Sequence, residues 1–232
     1  MKNKIYKTMD AAVADIPDGV TILSPGFSGV GVPRNLIAAL NRQGAKGLTG
    51  VSNNAGTIDE NVDIGTLVEA GQMKKMICAF TASTHPSQVT PFTRMYNSDE
   101  IEAELVPQGT LAERLRCAAA GIGGFYTPTS VGTELAEGKE HREFNGRMHV
   151  LELPLPGDYG LIRAWKADTS GNLVFRLTQR NFNPLMAMAA TTTIVEVEED
   201  IVKAGELDPD LIHVAGIYVD RMVRIPADGI WA

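Results

Sequence analysis

The sequence has little cysteine, few aromatic residues, few histidines and no long apolar run. Two cysteines, Cys78 and Cys117, exclude a disulfide framework and a four-thiolate zinc site. The four histidines, His85, His141, His149 and His213, have no close ligand spacing of the H-E-x-x-H kind. No stretch approaches the roughly 18 apolar residues of a membrane helix. Positive charge is also short: 21 Lys+Arg face 28 Asp+Glu, a net charge of −7. A general nucleic-acid or anionic-membrane binder needs the opposite balance. The first residues, Met1-Lys2-Asn3-Lys4-Ile5-Tyr6-Lys7, are basic but lead into no apolar segment, so no signal peptide is expected. The reading is a soluble, cytoplasmic protein without a metal.

What is present is ordinary globular composition, 44% apolar and 21% charged over 232 residues. Against roughly 150 residues per domain, and with no linker or repeat in sight, residues 1–232 are read as one domain. In the first half, short apolar runs at 20–23, 48–52, 76–80 and 101–106 read as strands. They alternate with helical patterns beginning at Pro33, at 61–71 and at 110–120. This rhythm predicts an α/β fold with an open, largely parallel sheet covered by helices. The second half adds strand-like runs at 148–153, 161–167, 173–176 and 191–197, with a turn at 168–172 and a strand or hairpin at 217–225.

Ligands of open α/β sheets bind beyond the C-terminal ends of the strands. Three segments fall there. Pro25-Gly26-Phe27-Ser28-Gly29-Val30-Gly31-Val32-Pro33 is glycine-rich and opens a helix, a pattern that lets backbone approach a ligand and draws anions to helix N–H groups. It also fits a tight strand-to-helix turn, and Arg34 stands where a dinucleotide fingerprint needs its third glycine. Asn53-Asn54-Ala55-Gly56 and Gln108-Gly109 place neutral amides at the same edge. Turn chemistry accounts for the asparagines but poorly for Gln108.

Other features read as structural. Gly132 to Lys139 imitates a P-loop, but five residues separate Gly132 from Gly138 and Glu140 replaces the metal-binding hydroxyl. The acidic groups Asp59-Glu60 with Asp63, and Glu196, Glu198, Glu199 and Asp200, read as solvated faces. Cys78 and Cys117 read as packing residues. Arg180-Asn181-Phe182-Asn183-Pro184 is polar and aromatic for a loop, and is expected to contact something.

Taken in order, these segments resemble the A subunit of the family I coenzyme A transferases, the group of 3-oxoacid and 3-oxoadipate CoA-transferases. The resemblance runs along nearly the whole chain. It rests on Asp18-Gly19, Gly26-Phe27, Gly31-Val32-Pro33, Ser52-Asn53-Asn54-Ala55-Gly56 and Val106-Pro107-Gln108-Gly109. It continues through Thr127-Pro128-Thr129, Gly132-Thr133, Ala136-Glu137-Gly138-Lys139-Glu140 and Ala164-Trp165-Lys166-Ala167-Asp168. Arg180 to Ala190 and Gly205-Glu206-Leu207-Asp208-Pro209 complete it. One departure is visible: the family loop reads Gly-Gly-Phe, and Pro25 replaces its first glycine, removing an N–H.

The resemblance implies transfer of CoA from an acyl-CoA, such as succinyl-CoA or acetyl-CoA, to a carboxylic acid, with a 3-oxo acid expected. It implies ping-pong chemistry through a glutamyl-CoA thioester. The family's nucleophilic glutamate belongs to a B subunit, in a Ser-Glu-Asn-Gly-type motif absent from this chain, so the sequence reads as half an enzyme. An AB or A2B2 assembly is implied, with the CoA thioester as substrate and no resident cofactor. On this chain, Gln108, Asn54 and Asn53 are the expected positioning or oxyanion residues. Gly26, Phe27, Gly29, Gly31 and Gly109 are the expected CoA/acyl-binding loop. A CoA-ester hydrolase on the same fold is a second reading, as is a non-catalytic acyl-CoA-binding module. A sugar-phosphate isomerase would need an acid/base carboxylate near the glycine loop, and the sequence offers no convincing one.

Overall fold

A computed structural model describes residues 3–57, 62–82 and 88–230. The first half contains α1 (Met9–Val13), β1 (Thr21–Leu23), α2 (Arg34–Gln43), β2 (Leu48–Asn54), α3 (Ile64–Glu69), β3 (Met73–Phe80), α4 (Pro91–Asn97), β4 (Glu102–Leu105) and α5 (Gln108–Ala120). Three strands then form a small antiparallel sheet, β5 (Phe125–Thr127), β6 (His141–Phe144) and β7 (Arg147–Glu152). The remainder holds β8 (Gly157–Ala164), β9 (Lys166–Ala167), β10 (Leu173–Val174), α6 (Asn183–Ala189), β11 (Ala190–Val197) and β12 (Arg221–Arg224).

The main sheet has seven strands in the order β12-β11-β8-β1-β2-β3-β4. Every pairing in it is parallel. Both faces are covered, which explains why its strands read as continuous apolar runs rather than alternating ones. Successive residues point to opposite faces. Ile22, Met76, Leu161 and Ile194 enter one core with α1, α2 and α3. Their neighbours Leu23, Ile77, Ile162 and Val195 enter the other, with α5 and α6. The chain lays down β1 to β4 toward one edge and β8, β11 and β12 toward the other. Strand order therefore reverses between β1 and β8, the place where open sheets part their connections and leave a crevice.

The parallel α/β expectation is met, with local differences. Residues 161–167 do not form one strand: β8 ends at Ala164, and Lys166–Ala167 pairs antiparallel with Leu173–Val174 around the expected turn. The expected strand at 217–225 begins as a 3-10 turn, Gly216–Tyr218, and only Arg221–Arg224 extends. The small antiparallel sheet is separate from the main one and has the order β5-β7-β6. Among the described residues no helix is long and apolar enough to cross a membrane, and no cluster of His, Cys, Asp and Glu is placed to hold a metal. Asp59, Glu60 and His85 lie outside the described residues.

Candidate functional site

The loop after β1 builds the first wall of the site. Phe27 N–H donates to Val30 O and Val30 N–H to Phe27 O, at 3.1 and 3.0 Å. Both central residues are left-handed, Ser28 with φ 48° and Gly29 with φ 82°, as a type I′ hairpin requires. The hairpin leaves the Phe27 side chain 48% exposed. It also uses the Phe27 N–H internally, so this N–H of the expected CoA/acyl-binding loop is already bonded.

Asn181 and Asn183 clamp the loop from one side. Their Nδ2 groups donate to Val30 O and Gly31 O, each at 3.0 Å. Gly31 makes that approach possible: at φ +76° an added Cβ would stand 2.8 Å from Asn183 Nδ2 and 3.0 Å from Gln179 O. On the other side, Arg34 donates to Gly29 O at 3.1 Å and to Val62 O at 2.9 Å. Gly26 is buried beneath the hairpin against Val32. Gly26, Gly29 and Gly31 thus shape the loop, and only Phe27 from this stretch faces the cleft.

Helix α2 begins where the loop ends, but its N-terminus is not open to a ligand anion. Its N-cap, Pro33, makes no side-chain cap. Glu196 reaches across from β11 instead, and its Oε2 accepts the N–H groups of Asn35 at 2.8 Å and Leu36 at 3.0 Å. Oε1 takes Asn35 Nδ2 at 3.3 Å and Arg163 Nη1 at 3.4 Å. The protein's own carboxylate fills the anion position. Glu196 is wholly buried, which corrects its reading as part of a solvated acidic face. Burial pushes its carboxyl up to about 7, against the opposing pull of Arg163 and the helix amides. Glu198 is not simply solvated either: its Oε1 accepts Arg163 Nε and Gln179 Nε2, each at 2.8 Å. Asp63 is also buried, capping α3 through Gly65 N–H at 2.7 Å and holding Thr57. Desolvation raises its carboxyl above the usual range.

The amides form the second wall. Asn53 and Asn54, expected in an exit loop, are the last two residues of β2, with Asn53 buried and Asn54 half-buried. Gln108 is the first residue of α5, two positions ahead of the expected start, and is exposed. Its Nε2 donates to Asn53 Oδ1 at 2.7 Å. That bond fixes the side chain while one amide hydrogen and the carbonyl of Gln108 stay available.

Gln108, Gly109 and Ala112 of α5 face Phe27 across a cleft of about 270 Å³, and Asn181, Phe182 and Leu185 close it. The sequence pattern places Gln108, Gly109 and Phe27 at one edge, and the structure brings them together there. Asn53 joins through its bond to Gln108, whereas Asn54 does not line the cleft. The 180–184 stretch, expected to contact something, contacts the loop and the cleft. Glu196, Arg163 and the helical start at Asn183 carry no local signal of their place near the site. Among the described residues no titratable side chain lines the cleft. Cys78 is core, on the face packed by α1, α2 and α3, and its thiol is pushed up to about 11 by burial.

A parallel sheet with an amide-bearing cleft beyond its strand ends, lined among the described residues by no charged side chain, places this chain among α/β proteins of the open-sheet class. Comparison with known sequences narrows the class. The model of the family described as "Coenzyme A transferase" matches residues 6–224, and the chain belongs to that family. It is 50% identical over 222 residues to the A subunit of the succinyl-CoA:3-ketoacid coenzyme A transferase of Helicobacter pylori strain J99, covering 96% of this chain and 92% of that one. It is 47% identical over 225 residues to the A subunit of the 3-oxoadipate CoA-transferase of Pseudomonas putida, covering 97% and 95%. An acyl-CoA transferase of E. coli O157:H7, solved as a thioester complex with CoA, shares the fold at a TM-score of 0.80 and 23% identity. That superposition covers 99% of this chain and 48% of the other, so the chain spans about half of that structure's length.

Proposed function

We propose that residues 1–232 form one domain, the A subunit of a heteromeric CoA-transferase of the cytoplasm. It acts on an acyl-CoA and a carboxylic acid of the 3-oxo acid class, in an AB or A2B2 assembly, with no resident cofactor. The observation that carries this reading is the Gln108–Asn53 amide pair, held at 2.7 Å beside a cleft that, among the described residues, no ionisable side chain lines. Such a site can orient a thioester carbonyl or a carboxylate but cannot attack either. Its volume of about 270 Å³ lies just below the roughly 300–1,000 Å³ of a complete small-molecule pocket. It suits an acyl group, leaving the rest of CoA and the nucleophile to another surface.

In the proposed reaction a glutamate carboxylate of the partner chain attacks the thioester carbonyl. The C–S bond breaks, and CoA leaves as thiolate with an acyl-glutamyl anhydride behind. The thiolate then attacks the glutamyl carbonyl, the anhydride C–O bond breaks, and the acyl group departs as a free carboxylate. The glutamyl-CoA thioester that remains is resolved by the acceptor carboxylate through the same steps in reverse. Charge moves onto a carbonyl oxygen at each addition. Gln108, held by Asn53 behind it, supplies a neutral donor at that place. Removing one such donor typically costs about 100–1,000-fold in rate.

The test is to incubate the purified heteromer with acyl-CoA, reduce the thioester with borohydride and map the modified peptide by mass spectrometry. Modification of a partner glutamate is expected. A modified glutamate in this chain, or full turnover by this chain alone, overturns the reading. Hydrolysis without an acceptor acid would convert it to the hydrolase reading.

A further inference from the structure

We propose that Glu196 is a positioning residue that holds the Phe27 hairpin against the cleft through the N-terminus of α2. The inference rests on the reading of that hairpin as part of the acyl-binding site.

The first turn of a helix has N–H groups without intrahelical partners, and a side chain at the N-cap ordinarily takes those of the second and third residues. Here the N-cap is Pro33, which has no such side chain, and those two residues are Asn35 and Leu36. Glu196 takes both N–H groups with a single oxygen. The cap is therefore supplied from the sheet, from β11 two strands away from β1. Everything between β1 and α2 is loop, so the position of this helix start sets where the loop ends. Asn183 ties the same loop to the same strands: its Oδ1 accepts the Arg163 N–H at 2.9 Å while its Nδ2 holds Gly31 O. Glu196, Arg163 and Asn183 thus make one buried polar chain from the helix start to the hairpin.

The groups facing Glu196 are few. From β8 comes Arg163, which also binds Glu198 of the segment after β11. On α2, Asn35 is its polar partner, and the guanidinium of Arg34 is turned to Val62 and Gly29. On β12, which pairs with β11, Arg221 and Arg224 bind Asp15 and Asp200. One cation and a helix start therefore face a fully buried carboxyl, whose pKa has moved from 4.5 to about 7. A carboxyl raised in this way stabilises the folded state most fully below pH 4.5, and that contribution is lost as pH rises through about 7. The charged form is nevertheless the one that accepts two amide hydrogens most strongly. Holding it costs stability and tightens the loop.

The experiment compares wild type and Glu196→Gln in the heteromer between pH 5.5 and 8.5, by steady-state kinetics in both substrates. Wild-type kcat/KM should rise through pH 7 as Glu196 ionises. The Glu196→Gln variant should lack that limb and fall at least tenfold at pH 8, mainly in kcat. A wild-type limb that persists unchanged in the variant, or an unchanged kcat/KM, overturns the inference. If the variant does not fold, hydrogen exchange of the wild-type peptide covering residues 24–40 decides. Corrected for intrinsic rate, protection should increase from pH 6 to pH 8, and a pH-independent protection overturns the proposal. Absence of transferase activity in the wild-type heteromer would instead strike at the functional reading.

Discussion

Replacing Gln108 with alanine separates a positioning role from a structural one. The substitution removes the 2.7 Å hydrogen bond to Asn53 Oδ1. A bond of this kind contributes about 0.5–1.5 kcal/mol net. The loss is partly offset because Gln108 is exposed at the first position of α5, where alanine is the better helix former. The vacated space opens onto the cleft, so water can satisfy Asn53. Stability should therefore change by no more than about 1 kcal/mol, read as a shift in urea midpoint at constant slope. Activity should change far more. If Gln108 donates to an oxygen that gains charge in the transition state, kcat/KM falls at least ~10-fold, equivalent to about 1.4 kcal/mol of barrier. The assay is acyl-CoA formation by the heteromer with each substrate varied in turn. An unchanged kcat/KM removes Gln108 from the site, and a loss of stability as large as the loss of transition-state binding makes it structural.

Two other substitutions test the loop. Gly31→Ala places a Cβ within 3.0 Å of Asn183, Asn181 and Gln179 at φ +76°; left-handed strain of about 1–2 kcal/mol plus the broken clamp should cost about 2–4 kcal/mol, and a loss under about 1 kcal/mol in urea denaturation would contradict the packing described. Pro25→Gly adds an N–H where none is used and loosens the unfolded chain, so stability should drop by about 0.4–1 kcal/mol with activity retained in steady-state kinetics; near-complete inactivation of a folded variant would mean that the rigid turn is itself essential.

The parts legible in the sequence are those governed by local pattern. Strands buried on both faces announce themselves as β-branched apolar runs, and Ile194-Val195 and Ile22-Leu23 are of this kind. The helices α1, α4 and α6, of 5, 7 and 7 residues, are not legible in the sequence, whereas the six-residue α3 is, inside a longer pattern over 61–71 of which Ile64–Glu69 is helical. The turn preference of asparagine points to a loop at Asn53 and Asn54. Tertiary pairing with β3 overrides that preference, placing Asn54 opposite Phe80. The Gln108 signal survives because no turn rule asks for glutamine at that place. Glu196 misleads for a different reason. Grouped with Glu198, Glu199 and Asp200 it looks like the exposed Glu199 and Asp200, and its partners Asn35 and Leu36 lie 161 and 160 positions away. Nothing local distinguishes a carboxylate that caps a distant helix from one that faces water.

Among the described residues no charged side chain lines the cleft, and that neutrality follows from what the proposed reaction asks of it. A carboxylate nucleophile is weak, and a lysine or arginine beside it would bind its charge as an ion pair and weaken it further in a site that excludes water. Amide donors avoid that cost: they hydrogen-bond an oxygen in proportion to the charge it acquires and hold no net charge in the ground state. A free helix N-terminus would be as unsuitable as a lysine, because its partial positive charge attracts any nearby anion. The start of α2 lies at the end of the site loop, and Glu196 closes it with a buried carboxylate of the chain's own. The same contact that fixes the hairpin therefore removes a competing anion site from the edge where acyl carboxylates must enter and leave. On this reading the Gln108–Asn53 pair and the Glu196 cap are two sides of one requirement, a rigid cleft that orients oxygen atoms without trapping charge.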